Sequence, residues 1–142
     1  MTTIRGATTL TLGAGTDANI TGANANITAT TNANLTASEL VNISGGFVYS
    51  VQNISGPGAI SVTTGVTFIT TTGTDAYTLA NGVEGQLKII IMKVDGGNAT
   101  ITPDNLVGYT AIRFNNVHDN VQLLYGSTGW NIIALQNATK IS

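Results

Sequence analysis

The chain contains no cysteine and very few charged residues. Without cysteine it can form neither disulfide bonds nor thiolate metal sites, so its stability must come from packing or from oligomerisation. Charged residues make up 8% of the sequence, against roughly 25% in ordinary soluble domains. The hydrophobic share of 42% is close to normal. Neutral polar side chains must therefore provide most of the contact with water.

Basic residues are especially scarce, since no Lys or Arg lies between Gly6 and Leu87. The net charge of -2 leaves no basic face that could neutralise phosphates, which argues against nucleic-acid partners. The first residues contain no apolar run that could act as a signal peptide, and no segment is long enough to cross a bilayer. We therefore expect a soluble protein made in the cytoplasm, with neither a nucleic-acid nor a membrane partner.

A short phrase recurs in the N-terminal third of the chain: Asn19-Ile20-Thr21, Asn26-Ile27-Thr28, Asn34-Leu35-Thr36 and Asn42-Ile43-Ser44. Each phrase is too short to bury a core alone, so the pattern predicts a segment that becomes ordered by coiling or in a symmetric assembly such as a trimer. A flexible low-complexity arm is the alternative. The predicted assembly contacts are the aliphatic residues Leu10, Leu12, Ile20, Ile27, Leu35 and Ile43.

From residue 47 onward, short runs of β-branched and aromatic residues alternate with turn signals. This pattern predicts an all-β fold: an antiparallel β-sandwich or small barrel, jelly-roll-like, preceded by an extended, repeat-bearing N-terminal arm. The predicted division is an arm or stalk for assembly at residues 1–46 and an antiparallel β domain at residues 47–142. No βαβ rhythm appears, which argues against a nucleotide-binding α/β fold.

Three turn signals and one long strand stand out within the predicted β domain. Gly56-Pro57-Gly58 predicts a tight turn, and Asn81-Gly82 and Asp95-Gly96-Gly97-Asn98 each predict a hairpin. The run from Leu87 to Val94 is apolar apart from Lys88 and Lys93, and it predicts a central strand. The odd spacing of these two lysines places them on opposite faces of that strand.

Residues that could carry chemistry are few. His118 is the only histidine, and with no cysteine it cannot form a transition-metal site alone. Asp95, Asp104 and Asp119 lack the spacing of an EF-hand, so we interpret them as turn residues. No Gly-x-Ser-x-Gly elbow is present. We therefore expect no catalytic residue, no metal site and no cofactor, and we do not expect an enzyme.

Three aromatic residues allow two interpretations. Tyr109, Tyr125 and Trp130 could form a platform on which a sugar stacks, or they could pack in the core or at an interface. Trp130 is followed by Asn131-Ile132-Ile133 at a strand start, which favours packing over ligand stacking.

The C-terminal half also resembles a β domain found in structural proteins of tailed bacteriophages, of the decoration, head-fibre and tail-fibre type. The resemblance covers roughly residues 76–134, less than half of the chain. It rests on Tyr77-Thr78-Leu79, Gly85-Gln86-Leu87-Lys88, Asp95-Gly96-Gly97-Asn98-Ala99-Thr100-Ile101-Thr102-Pro103, Ile112-Arg113-Phe114, Asp119-Asn120-Val121-Gln122-Leu123-Leu124-Tyr125 and Gly129-Trp130.

This resemblance implies a virion part that works without catalysis as a homotrimer or other symmetric assembly. A tail fibre is usually a module of a much longer chain, so a short chain favours a capsid decoration (cement) protein that binds the major capsid protein and stabilises the shell. The expected location is the virion, on the capsid surface, after synthesis in the host cytoplasm. The alternative is a head- or tail-fibre module that binds a receptor or carbohydrate, and a surface-layer or adhesin fragment is a third hypothesis.

Overall fold

The computed structural model describes residue 29, residues 33–36 and residues 40–142. Contacts divide the chain into two units, Met1–Ser44 and Gly45–Ser142. The described residues form ten strands and no helix, and all ten strands lie in the second unit. The strands are β1 Val51–Ser55, β2 Gly58–Ile60, β3 Val66–Thr70, β4 Asp75–Leu79, β5 Leu87–Val94, β6 Ala99–Pro103, β7 Ala111–Phe114, β8 Asn120–Gly126, β9 Gly129–Gln136 and β10 Thr139–Ile141.

The strands form two five-stranded sheets that share one core. Sheet 1 has the order β1-β3-β5-β8-β9, and sheet 2 has the order β10-β7-β6-β4-β2. Alternating residues of each strand point inward, as the period of two in a strand requires. The buried cluster draws on both sheets, with Ile69, Ile90, Met92, Val121 and Leu123 from sheet 1 and Tyr77, Leu79, Ile101, Ile112 and Phe114 from sheet 2. The all-β class predicted from the sequence is confirmed.

The strand directions differ from the predicted antiparallel sandwich, because both sheets are mixed and neither is closed into a barrel. β1, β3 and β5 are parallel neighbours in sheet 1, and β2, β4 and β6 are parallel neighbours in sheet 2. The chain therefore passes from one sheet to the other after each of its first five strands, and these first six strands make three stacked coils. Only from β7 onward are all pairs antiparallel.

The two hairpins predicted at Asn81-Gly82 and at residues 95–98 are wrong. The strands on either side of each turn lie in different sheets, so each turn is a corner between sheets. Neither Asn81 nor Gly82 has the positive φ that a two-residue type I′ turn needs at both positions. The turn residues indicate that the chain changes direction, but they do not determine which strand it pairs with.

The corners of successive coils are held together by backbone hydrogen bonds. Gly56 N donates to Thr70 O at 2.9 Å, and Thr71 N donates to Val94 O at 3.1 Å. At Gly97 the backbone has a φ of 148° and passes so close to Gly73 that an added Cβ would lie 2.5 Å from Gly73 O. This corner therefore requires glycine at position 97.

Candidate docking surface

The outward side of sheet 1 is apolar, although it faces away from the shared core. Side chains on β1, β3, β5 and β8 form rows across the strands there. One row runs from Val51 through Val66 to Ile89. In the other rows Phe68 lies beside Ile91, and Leu87 lies beside Leu124. These residues are half-buried or exposed, with Val51 49% exposed and Leu124 38% exposed. We call this set the apolar face: Val51, Val66, Phe68, Leu87, Ile89, Ile91 and Leu124.

Amide side chains surround the apolar face along the same rows. Asn53 flanks Phe68 on the β1 side, and Gln122 follows Ile89 on the β8 side. Asn120 and Gln136 continue the row of Ile91, and Asn131 lies beside Leu124. No Asp, Glu, Lys or Arg occurs within these described rows. Lys93 adds one charge at one end of the face. An apolar centre with a polar rim is the composition found in protein–protein interfaces, where charged residues are depleted at the core.

The outward side of sheet 2 is different and provides a comparison within the same molecule. Its rows are built mainly from alanine and threonine, with one arginine and, on the edge strand β10, one isoleucine: Ala59, Ala76, Thr78, Thr100, Thr102, Ala111, Arg113, Thr139 and Ile141. We call this set the threonine face. Small and polar side chains of this kind are suited to contact with water. The two outer surfaces of one sandwich therefore have different compositions, and only the surface of sheet 1 is apolar.

The composition of β5 explains how the apolar face arises. Ile90 and Met92 point into the core, whereas Leu87, Ile89 and Ile91 point outward. Strands that are covered on both sides carry such continuous apolar runs, while strands with one solvated side alternate between apolar and polar residues. The sequence of β5 is thus that of a strand covered on both sides, and its outer side has no cover among the described residues.

The area of the apolar face limits the kind of protein contact that it can form. The apolar face lies on four strands, and four strands spaced about 4.8 Å apart and about five residues long at roughly 3.3 Å each give a surface of about 300 Å². A patch of this size is in the range that marks interaction sites on soluble proteins, roughly 300–600 Å². A stable interface buries about 800 Å² on each partner. The apolar face can therefore form the centre of an interface, and the amide rim and its surroundings must supply the rest.

Trp130 and Tyr125, two of the aromatic residues considered above, pack against each other. Trp130 is fully buried, and its Nε1–H donates to Ala80 O at 3.0 Å. The Tyr125 ring packs edge-on against it, with ring centroids 5.0 Å apart. Trp130 therefore lies in the core, which is one of the two kinds of packing that its position favoured. A fully buried indole has no free face on which a sugar could stack.

Tyr109 has a different neighbour. The ammonium group of Lys140 lies 4.7 Å from the centroid of its ring, which is the geometry of a cation–π contact. The three predicted aromatic residues therefore do not form one shared platform.

The predicted assembly contacts of the N-terminal segment are only partly visible. Leu10, Leu12, Ile20 and Ile27 lie outside the described residues. Leu35 is 69% exposed and Ile43 is 58% exposed. Their role in assembly stays a prediction.

The acidic side chains mostly serve the loops. Asp119 Oδ2 accepts hydrogen bonds from the backbone N–H groups of Asn115 and Asn116, at 2.7 and 3.0 Å. Asp95 Oδ1 accepts from Gly97 N at 2.9 Å. These two residues form turns, as predicted.

Within the part of the chain that the structure describes, no group of three or more His, Asp or Glu side chains could hold a metal ion. The described residues also include no helix long and apolar enough to span a membrane.

The two lysines of β5 lie on opposite sides of sheet 1, as their spacing predicted. Lys88 is fully buried between the sheets, and its ammonium group donates to Thr64 O, Thr64 Oγ1 and Thr67 Oγ1 at 2.8, 3.0 and 2.7 Å. Burial lowers the pKa of Lys88 from 10.5 to about 8. Lys93 is exposed on the outer side, at one end of the apolar face.

Sequence reasoning did not identify the apolar face as a site. The signal was present in the unbroken apolar run of β5, which we interpreted only as a central core strand. The neighbouring residues Val66 and Phe68 on β3 add to the surface, but their shared orientation depends on the parallel pairing of β3 with β5.

A search of protein-family models finds no match to this chain, and a search of curated proteins finds none either.

Proposed function

We propose that this chain is a non-enzymatic structural subunit of a tailed-bacteriophage virion, and specifically a capsid decoration protein that acts as a homotrimer. On this proposal it binds the major capsid protein on the outer surface of the shell and stabilises the shell. Two features of the sequence support the proposal: the resemblance over residues 76–134 and the scarcity of charged residues.

The observation that carries the proposal is the contrast between the apolar face and the threonine face. A protein that worked alone in water would gain nothing from exposing Ile89, Ile91 and Leu87 on one sheet while covering the other sheet with threonine. Covering the apolar face with protein removes apolar area from water, which is favourable by about 25 cal/mol per Å². A surface of about 300 Å² thus supplies about 8 kcal/mol before the unfavourable entropy of association is counted.

This magnitude fits a cement role better than a role in one isolated contact. Association costs roughly 4–15 kcal/mol in lost freedom, so one small face gives at most moderate affinity. A trimer that presents three such faces to a symmetric shell binds with a much higher effective affinity, because the second and third contacts form within one complex. Many subunits would then add their burial energy to the contacts that already hold the shell together.

The alternative, a fibre module that binds a receptor or carbohydrate, depends on the aromatic residues. Trp130 is buried, and Tyr109 contacts Lys140 instead of Trp130. We therefore prefer the decoration role.

The experiment that tests the proposal compares two matched double variants on empty shells made from the phage's own major capsid protein. The first carries Ile89→Asp and Leu124→Asp on the apolar face. The control carries Thr78→Asp and Thr100→Asp on the threonine face, where the two residues also lie on neighbouring strands. The intensity and wavelength of Trp130 fluorescence check that each variant is folded.

We expect the wild type and the threonine-face variant to sediment with shells and to raise the shell melting temperature, and the apolar-face variant to do neither. Light scattering should give the wild type a mass three times that of the 14.5 kDa chain. Failure of the wild type to bind shells would contradict the decoration role. Binding by a folded apolar-face variant at wild-type level would show that another surface is used.

A further inference from the structure

A hollow opens on the outer side of sheet 1 at one end of the apolar face. Phe68 and Ile91, which are cross-strand partners on β3 and β5, contribute apolar surface to it, and Val51 on β1 adds more. Its volume is about 270 Å³. Because a water molecule occupies roughly 30 Å³ in the liquid, this space holds a molecule of about nine non-hydrogen atoms. We call this site the Phe68 hollow.

Three polar side chains also line the Phe68 hollow, and none of them is acidic. Lys93 lies two residues after Ile91 and therefore on the same side of β5, where it carries a positive charge. Asn53 lies beside Phe68 on β1 and offers amide N–H donors. His118 adds an imidazole from the loop before β8. The lining thus combines apolar surface with a cation and hydrogen-bond donors.

The loop that carries His118 is fixed against the end of β5. His118 N donates to Met92 O at 2.8 Å, and Asn120 Nδ2 donates to His118 O at 2.9 Å. The backbone of His118 has a φ of 73°, a left-handed conformation that is uncommon for a residue with a side chain. These contacts hold the histidine backbone at the hollow, so this part of the lining is formed before any ligand binds.

We propose that the Phe68 hollow binds a small monocarboxylate of about nine non-hydrogen atoms with an apolar body, such as an aryl or alkyl carboxylate. The body covers Phe68 and Ile91, and the carboxylate accepts a charge-assisted hydrogen bond from Lys93, together with hydrogen bonds from Asn53 and His118. A small, highly charged anion such as inorganic phosphate would leave the apolar surface uncovered. This proposal concerns the chain in solution and does not depend on the decoration role.

The test uses two probes of nearly equal shape that differ in charge, benzoate and benzamide. Each is titrated into ¹⁵N-labelled full-length protein while the backbone amide signals are followed by NMR. We expect saturable shifts at Phe68, Ile91 and His118, with the carboxylate binding about tenfold more tightly than the amide. Lys93→Met should remove that preference. Lys140→Met, which changes a lysine on sheet 2, should retain it.

Three outcomes would overturn the proposal. The first is no saturable shift with the carboxylate, and the second is saturable shifts confined to another surface. The third is equal affinity for the acid and the amide, which would show that the positive charge of Lys93 has no part in recognition. Lys93 is exposed, and an unchanged NMR spectrum of the free Lys93→Met variant would show that its fold is intact.

Discussion

Lys88 provides the most quantitative prediction of the structure, because it is a lysine inside the core without a carboxylate partner among the described residues. Its ammonium group is held by three oxygens of Thr64 and Thr67, at distances from 2.7 to 3.0 Å. Burial disfavours the charged form and lowers the pKa from 10.5 to about 8. The perturbations that test this are a change of pH and the substitution Lys88→Met, which removes the charge and leaves an unbranched side chain that lacks only the terminal atom.

The sign of the pH effect follows from where the proton binds. Between pH 8 and pH 10.5 the unfolded chain keeps the proton on Lys88, while the folded chain releases it. Stability therefore rises with pH across this window, since the unfolded state binds more protons. One pKa unit corresponds to about 1.4 kcal/mol, so the free energy of unfolding should increase by about 2–3 kcal/mol between pH 7 and pH 10.

The window has an upper limit set by Tyr77. Burial, and to a smaller extent the charge of Asp75, raises the pKa of Tyr77 from 10.0 to about 12. Above pH 10 the unfolded chain loses this phenolic proton before the folded chain does, so stability falls again. The contribution of Lys88 is therefore measured between pH 7 and pH 10.

The assay is urea unfolding followed by the fluorescence of Trp130, the only tryptophan. We expect the midpoint to rise with pH for the wild type and for Lys93→Met, whose lysine is exposed on the outer side of the same strand. Lys88→Met should show no such rise. A wild-type stability that is flat between pH 7 and pH 10, or a Lys88→Met variant with the same slope as the wild type, would refute this account of Lys88.

Three further predictions concern a corner, the core and the N-terminal segment. Gly97→Ala would place a Cβ 2.5 Å from Gly73 O, so we expect the free energy of unfolding measured with urea to fall by about 2–4 kcal/mol. In the control Gly73→Ala the added Cβ meets nothing within 4 Å, and the free energy of unfolding should stay within about 0.5 kcal/mol of the wild-type value. Trp130→Phe removes the donor to Ala80 O and leaves a cavity. We expect the free energy of unfolding to fall by about 2–3 kcal/mol, which circular dichroism should detect as a lower melting temperature. Deletion of residues 1–46 should abolish sedimentation with shells while the circular dichroism spectrum of the β domain persists, and shell binding by the truncated chain at wild-type level would remove the predicted role of that segment.

The sequence was a good guide to the strands and a poor guide to their partners. The all-β class and the strands at β5, β7, β8 and β9 follow from local composition, and the structure contains them. The hairpins at Asn81-Gly82 and Asp95-Gly96-Gly97-Asn98 were wrong, because turn chemistry is local and pairing is not. In the first three coils each strand pairs with one that lies two strands away in the sequence. Nothing in a two-residue turn encodes that distance.

The apolar face could not be predicted from the sequence for the same reason. Ile89 and Ile91 could be recognised as apolar from the sequence, but their place on an outer surface depends on which residues of β5 face the core. Phe68 joins them only because β3 is parallel to β5 in this register. Lys88 and Lys93 were correctly placed on opposite sides, since the period of two within one strand needs no knowledge of the neighbouring strands.

The most direct test of the central claim is hydroxyl-radical footprinting of the free chain and of the chain bound to capsid shells, read out by mass spectrometry. The claim is that protein covers the apolar face in the assembled particle. We predict that oxidation of Phe68 and Leu124 falls several-fold on binding, while oxidation of Val83, which is 75% exposed and lies off the face, stays the same. Equal oxidation of Phe68 and Leu124 in both states, with binding confirmed, would contradict the claim.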